Sequence, residues 1–258
     1  MLDVLDLFSA QESLLTGEEI AGRLSYTRPT AYRYIRELCA VGLLGRFAGG
    51  YSLGPRIIEL DFIVRQSDPL LGVATGLMRA VAGRYSCEIV LITMFGDRVV
   101  TVHEEKGSES PPIGFGRGRP LPLFRGSGSK IILAFLPAAR QRKLFAKFPD
   151  MAAASELGAD WTTFRASLRK IRSAGHAISF GELDPPNVGI AAPVLGPDGE
   201  VVSSLAAVMN ESQYQVVDKD LLVKTIVAAA SRLSEAIARQ GVVDELGLPL
   251  AEITRRQR

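Results

Sequence analysis

The chain has 258 residues, 47% of them hydrophobic and 22% charged, with a formal net charge of +2. That length exceeds what one small core serves and favours two domains. No run of about 18 uncharged apolar residues is present, which argues against a membrane span. The start, Met1-Leu2-Asp3-Val4-Leu5-Asp6, is acidic where a secretory signal would be basic. Cys39 and Cys87 read as two reduced, buried thiols, and a cytoplasmic location is expected.

Taken in order, Leu2, Val4, Leu5, Leu7 and Phe8 make an apolar helical stripe ending near Ser9. Thr16-Gly17-Glu18-Glu19 is a capping box that opens a helix carrying Ile20, Ala21 and Leu24. Ser25-Tyr26 then links to an amphipathic helix bounded by Thr27 at the cap, Pro29 in the first turn and Gly42 at the stop. Its residues Ala31, Ile35 and Leu38 face a core. Thr27, Arg28, Thr30, Tyr32, Arg33 and Arg36 offer hydroxyls, a phenol and guanidinium forks, the chemistry that reads base edges and phosphates.

From Leu43 to Leu53, two short alternating segments flank Ala48-Gly49-Gly50 and predict a β-hairpin with a glycine turn. Helix, turn, helix and hairpin make a winged helix-turn-helix over residues 1–54. Charge is placed to match. Residues 28–56 hold five arginines against Glu37 alone, whereas residues 1–27 hold five acids against Arg23. Arg46, Gly49 and Gly50 would lie against a nucleic-acid backbone or minor groove.

Residues 55–67 predict a linker helix. Ile57, Ile58, Leu60, Phe62, Ile63 and Val64 cover more than half its circumference, so a domain or subunit interface is expected to bury it. Residues 68–240 form the second domain and 241–258 a tail. A long helix from Asp68 precedes strands at Glu88–Phe95 and Arg98–His103 and a Gly/Pro/Ser-rich loop over 107–129. Helices follow at Ser129–Leu136, Pro137–Leu144 and Thr162–Ala174. Strands at His176–Phe180, Val188–Val194 and Val201–Met209 come next, with a closing helix over Leu221–Arg239. Antiparallel strands with helices around them make an α+β sandwich, so the chain as a whole is mixed α/β.

Catalytic patterns are few. His103 and His176 lack metal-ligand spacing, and no Gly-x-Ser-x-Gly elbow exists. Gly126-Ser127-Gly128-Ser129-Lys130 lacks the ending of a phosphate loop, and Gly114-Phe115-Gly116-Arg117-Gly118 has no helix to follow it. Glu104-Glu105 reads as a solvated carboxylate pair at a strand end. No enzyme, metal or cofactor is expected.

The order of elements and several short segments resemble the IclR family of bacterial transcription regulators over roughly residues 1–240. The resemblance is carried by Leu15-Thr16 to Leu24, by Thr30-Ala31-Tyr32-Arg33, and most specifically by Gly50-Tyr51-Ser52-Leu53-Gly54-Pro55-Arg56 with Glu59-Leu60. Pro120-Leu121-Pro122-Leu123, Ser129-Lys130, Ile171 to Ser179 and Ile190-Ala191-Ala192-Pro193-Val194 continue it. It implies a homodimer or homotetramer whose winged helices bind a palindromic double-stranded operator and whose C-terminal α+β domains, each with an antiparallel sheet, bind a small effector. The role implied is ligand-responsive regulation, with a catabolic operon as the expected target. Carried over residue by residue, the effector positions are Gly126, Ser127, Gly128 and Ser129 in the loop before Lys130, Gly189, Ala206 and Val208 on strands, and Glu182 at the rim. The sequence departs from the family pattern at Phe124-Arg125-Gly126-Ser127-Gly128, at the apolar Ala206 and Val208, and at Leu183-Asp184-Pro185-Pro186-Asn187. A small apolar wall suits an aromatic or branched acid better than a compact dianion. The rival reading is a small-molecule-binding module or enzyme whose winged helix serves protein contacts.

Overall fold

A computed structural model of the chain describes residues 1–240; the expected tail over 241–258 lies outside the described residues. The chain divides between Ser67 and Asp68 into two units.

In the first unit a 3-10 helix, Leu2–Leu7, precedes α1 (Gly17–Arg23) and α2 (Arg28–Ala40). The capping box forms as the spacing predicts: Glu19 N–H donates to Thr16 Oγ1 at 3.2 Å and Thr16 N–H donates to the Glu19 carboxylate at 2.8 Å. Ser25, at φ +54°, turns the chain between the two helices. Thr27 holds the N-cap position of α2 without capping it, because its hydroxyl bonds the Thr30 hydroxyl at 2.9 Å. The hairpin pairs β1 (Leu44–Phe47) with β2 (Gly50–Leu53). A further bridge joins Leu15 to Tyr51 through two backbone bonds of 2.9 and 2.8 Å. Val4, Leu15, Ile20, Ile35, Leu38 and Leu44 close the core. The opening stripe is 3-10 rather than α: six residues bury only Val4, too few for a full amphipathic face. Helix α3 (Arg56–Ser67) buries none of its residues.

In the second unit α4 (Pro69–Tyr85) leads into a six-stranded antiparallel sheet. Its strands are β3 (Glu88–Phe95), β4 (Arg98–Lys106), β5 (Pro120–Leu121), β6 (Ala177–Phe180), β7 (Asn187–Leu195) and β8 (Val201–Asn210), in the order β5-β4-β3-β8-β7-β6. Alternation along the strands divides the side chains between two cores. Ile89, Leu91, Ile190, Leu205 and Ala207 pack with α4 and with α10 (Lys219–Gln240). Val90, Ile92, Ala191 and Ala206 face the other side, where α5 (Ser127–Phe135), α6 (Ala138–Lys147), α7 (Pro149–Ala153) and α8 (Trp161–Ala174) bring Ile131, Leu144, Ala152, Phe164 and Leu168.

Three expectations change here. Helix α5 begins at Ser127, so Ser127, Gly128 and Ser129 form its first turn instead of a loop. Gly-Ser-Gly has poor helix propensity, and the turn is held from outside: Gly126 N–H donates to Glu182 Oε2 at 3.0 Å and Ser127 N–H to Ser179 Oγ at 3.1 Å. Strand β4 continues through Lys106, because Glu104 and Lys106 pair with Val90 and Glu88. The short helices α7 and α9 (Glu211–Val216) were not read from the sequence, being too short to show a period.

Candidate functional site

Two places have functional chemistry, one in each unit. On the first, Arg28, Arg33 and Arg36 of α2 and Arg46 of β1 are exposed, while Ala31, Ile35 and Leu38 anchor the helix from beneath. Arg33 lies over the Tyr34 ring at 5.0 Å, which keeps its guanidinium near the helix surface. Tyr32 is less free than its sequence position suggests. Its hydroxyl donates to Glu18 Oε1 at 2.9 Å and its ring covers Gly17, where a Cβ would meet the ring at 2.6 Å. That bond raises the phenol and holds the Glu18 carboxyl below its ordinary value. Thr27 and Thr30 bond each other. Gly49 is exposed at the wing tip with φ +97°. Gly50 is half-buried, and a Cβ there would lie 2.5 Å from the Leu15 carbonyl. Its absent side chain thus serves the close approach of the Leu15–Tyr51 bridge rather than a ligand.

On the second unit a partly open cavity lies between the α5 N-terminus and the sheet. Val90, Ala206, Val208 and Gly189 form part of its floor, and Ile113 and Phe115 of the 107–119 loop part of its cover. That loop is tied down along its middle. Gly114 N–H donates to Asp184 Oδ2 at 2.8 Å, Asn187 Nδ2 donates to Pro112 O at 3.2 Å, and Thr101 Oγ1 donates to Phe115 O at 2.7 Å. The polar lining comes from Thr101, Ser127, Ser179, Glu182, Asp184 and Asn187, and among the described residues no lysine, arginine or histidine lines it.

Glu182 is not a free rim carboxylate. It is 8% exposed and bonds the 4%-exposed Lys130 ammonium, which also donates to Glu156 at 3.0 Å. Lys130 holds the Glu156 carboxyl below its ordinary value. Helix α5 supplies the positive potential that the side chains lack. The first intrahelical bond runs from Lys130 N–H to Gly126 O, and Ser127 N–H is taken by Ser179. The amides of Gly128 and Ser129 therefore have no partner inside the helix, at the end where the macrodipole favours an anion.

Of the eight effector positions expected, Ser127, Gly128, Glu182, Gly189, Ala206 and Val208 come together at this cavity. Gly126 and Ser129 do not line it. Gly126, at φ +81°, is the N-cap of α5, and Ser129 is turned inward with its hydroxyl buried. Sequence reading missed Thr101, Ser179, Asp184 and Asn187. Ser179 was accessible, since alternation on β6 puts it on the face of Ala177. Asp184 sits in the turn between β6 and β7 and Asn187 opens β7, and neither carries a periodic signal. The expected solvated pair also changes: Glu104 accepts Arg117 N–H at 2.8 Å, and Glu105 pairs with Arg79 at 3.2 Å. Burying β4 beside the loop and α4 leaves these carboxylates bound rather than solvated.

Comparison with known proteins agrees with this division. The family model described as IclR helix-turn-helix domain matches residues 1–46, and that described as bacterial transcriptional regulator IclR C-terminal matches residues 64–235. The HTH-type transcriptional regulator KipR of Bacillus subtilis is 23% identical over 91% of this chain and 94% of its own length. The p-hydroxybenzoate hydroxylase transcriptional activator of Acinetobacter baylyi is 22% identical over 83% of this chain and 81% of its own. A crystal structure of a putative regulator from Silicibacter superposes with a TM-score of 0.80 at 21% identity, covering 95% of this chain and 96% of that one. A homolog from Microbacterium hydrocarbonoxydans complexed with 4-hydroxybenzoate superposes at 0.69 with 22% identity, covering 92% and 97%.

Proposed function

The chain belongs to the IclR family of bacterial transcriptional regulators, and we propose how it reads DNA and what it senses. Arg28, Arg33 and Arg36 enter the major groove of a palindromic operator, and Arg46 with Gly49 touches the adjoining backbone. The observation that carries this reading is the exposed arginine face of α2 above a fully buried Ala31–Ile35–Leu38 stripe. Arg33→Ala is expected to weaken binding to operator, relative to scrambled duplex, by about 1–3 kcal/mol. Fluorescence anisotropy on both duplexes decides it, after a random library has supplied the operator. Equal loss on both makes Arg33 a phosphate clamp, and the steep salt dependence of counterion release should be visible on either.

The cavity takes an aromatic or branched acid, the acid end at the α5 amides and the ring over Val90, Ala206 and Val208. Six converging cavity positions support this, as does the relative described as a p-hydroxybenzoate hydroxylase activator. The domain limits follow the same division, with residues 1–54 reading DNA, 55–67 linking and 68–240 sensing, in the cytoplasm and without catalysis.

The protein acts as a dimer or tetramer in which α3 meets a second copy. Ile58 is 73% exposed and Phe62 62%, one turn apart on the same face. So much apolar surface is costly in water. Sedimentation of the full chain is expected to give a dimer or larger, and Ile58→Glu with Phe62→Glu a smaller species. A monomeric parent protein at micromolar concentration would remove the oligomeric reading.

A further inference from the structure

We propose that Glu88, buried one position beyond the lining residues Val90 and Val208 and not itself part of the cavity wall, is a ligand-recognition residue reached by an effector that displaces that wall, the acceptor for a hydroxyl or amino group. The inference rests on the effector reading above and narrows it to bipolar molecules, an acid at one end and a hydrogen-bond donor at the other.

The placement follows from strand register. Gly189 of β7 pairs with Val208 of β8, and Val208 pairs with Glu88 of β3. Directly opposed residues of an antiparallel sheet project to the same face, so these three form one row across the cavity side of the sheet. Above Gly189 sits Ser127 of the α5 first turn: a Cβ at 189 would lie 2.7 Å from Ser127 Oγ. The row thus runs from the helix N-terminus, across the apolar Val208, to a carboxyl. Its span is two strand spacings, roughly 10 Å, which suits a ring with substituents at opposite positions and a hydrogen bond at each end.

The carboxyl itself is unexplained by the fold. Glu88 is 0% exposed, and neither of its oxygens has a hydrogen-bond partner. The nearest cation, Lys106 Nζ, stands off at 3.9 Å, is largely exposed, and is shared with Glu104 at 3.8 Å. Buried polar groups are normally paired, and a valine or leucine would continue the Val90–Ile92 face at no such cost. Burial also pushes the carboxyl up to about 7, so a donor delivered by a ligand would satisfy a group that the protein leaves unmet.

The test is calorimetric titration of the full chain at pH 8 with 4-hydroxybenzoate, 4-aminobenzoate, benzoate and 4-methylbenzoate. The first two are expected to bind at least about tenfold tighter than the last two, since only they satisfy the carboxylate. E88L should abolish that ratio and accept 4-methylbenzoate at least as well as 4-hydroxybenzoate; E88Q, which keeps a carbonyl acceptor, should retain part of it. An unchanged ratio in E88L, an equal loss for all four probes, or no binding of any of them overturns the proposal. Duplex anisotropy on the same preparations keeps the two readings apart. Salt-sensitive DNA binding with no discrimination among probes defeats the role of Glu88 alone, and its absence defeats the regulator reading.

Discussion

Replacing Lys130 by methionine is expected to destabilise the second unit by about 3–5 kcal/mol, the usual cost of stranding one partner of a buried ion pair. The Lys130 ammonium and the Glu182 carboxylate are both nearly inaccessible, and Glu182 also accepts the Gly126 amide that begins α5. Methionine fills the stem's volume but leaves Glu182 charged and unmatched. Urea unfolding gives the magnitude from the shift in midpoint at constant slope. The pairing makes a second, sharper statement. Adding Glu182→Gln should recover a large part of the loss, because the unmatched charge goes while the acceptor for Gly126 N–H stays. A single-variant loss below about 1 kcal/mol, as for a solvent-screened pair, would contradict this account of the cavity's polar wall. Glu156 contributes little to the figure, being mostly exposed.

Glu88→Leu is expected to do the opposite and stabilise the protein by roughly 3 kcal/mol above neutrality. The sign follows from the direction of the shift. Burial raises the carboxyl from 4.5 to about 7, so between those values the folded chain holds a proton that the unfolded chain has released. Stability therefore falls as pH rises from about 4.5 through about 7 and is level beyond. Below pH 4 the charge no longer contributes, and the variant and the parent should differ only by packing and by the unpaired neutral carboxyl. Thermal melts across pH 4–9 for both proteins measure this. A parent curve flat through that window, or a variant that keeps the slope, would show that Glu88 is not the group titrating. A stabilising substitution at a wholly buried site also bears on the ligand role. A costly acid in an apolar row is what a recognition residue looks like in the absence of its ligand.

The first unit was legible almost residue by residue. Thr16 and Glu19 announce a helix start three residues apart, Ala31, Ile35 and Leu38 repeat at the helical period, and Gly49-Gly50 sits between two alternating segments. Each of these signals spans about ten residues or fewer, within the reach of local sterics and hydrogen bonding. Even here two roles escaped: Tyr32 is tied to Glu18 on the preceding helix, and Gly50 accommodates Leu15. Both depend on a neighbour distant in the chain.

The effector cavity was legible only in part. Gly189, Ala206 and Val208 were named through resemblance, and Ser127 and Gly128 were placed in a loop. Propensity disfavoured a helix there, but acceptors about fifty residues away, Ser179 and Glu182, hold its first turn. Glu88 appeared as nothing more than the first residue of a strand. What the sequence by itself determined is the longer helices and strands, their order, and the arginine face of α2. What only the tertiary structure decided is which strands lie side by side. The order β4-β3-β8-β7 brings residue 88 next to 208 and 208 next to 189. Periodicity fixes the face on which a side chain stands, but it carries no information about which strand is its neighbour. That choice is made by burying both faces of one sheet at once, α4 and α10 on one side and α5 and α8 on the other.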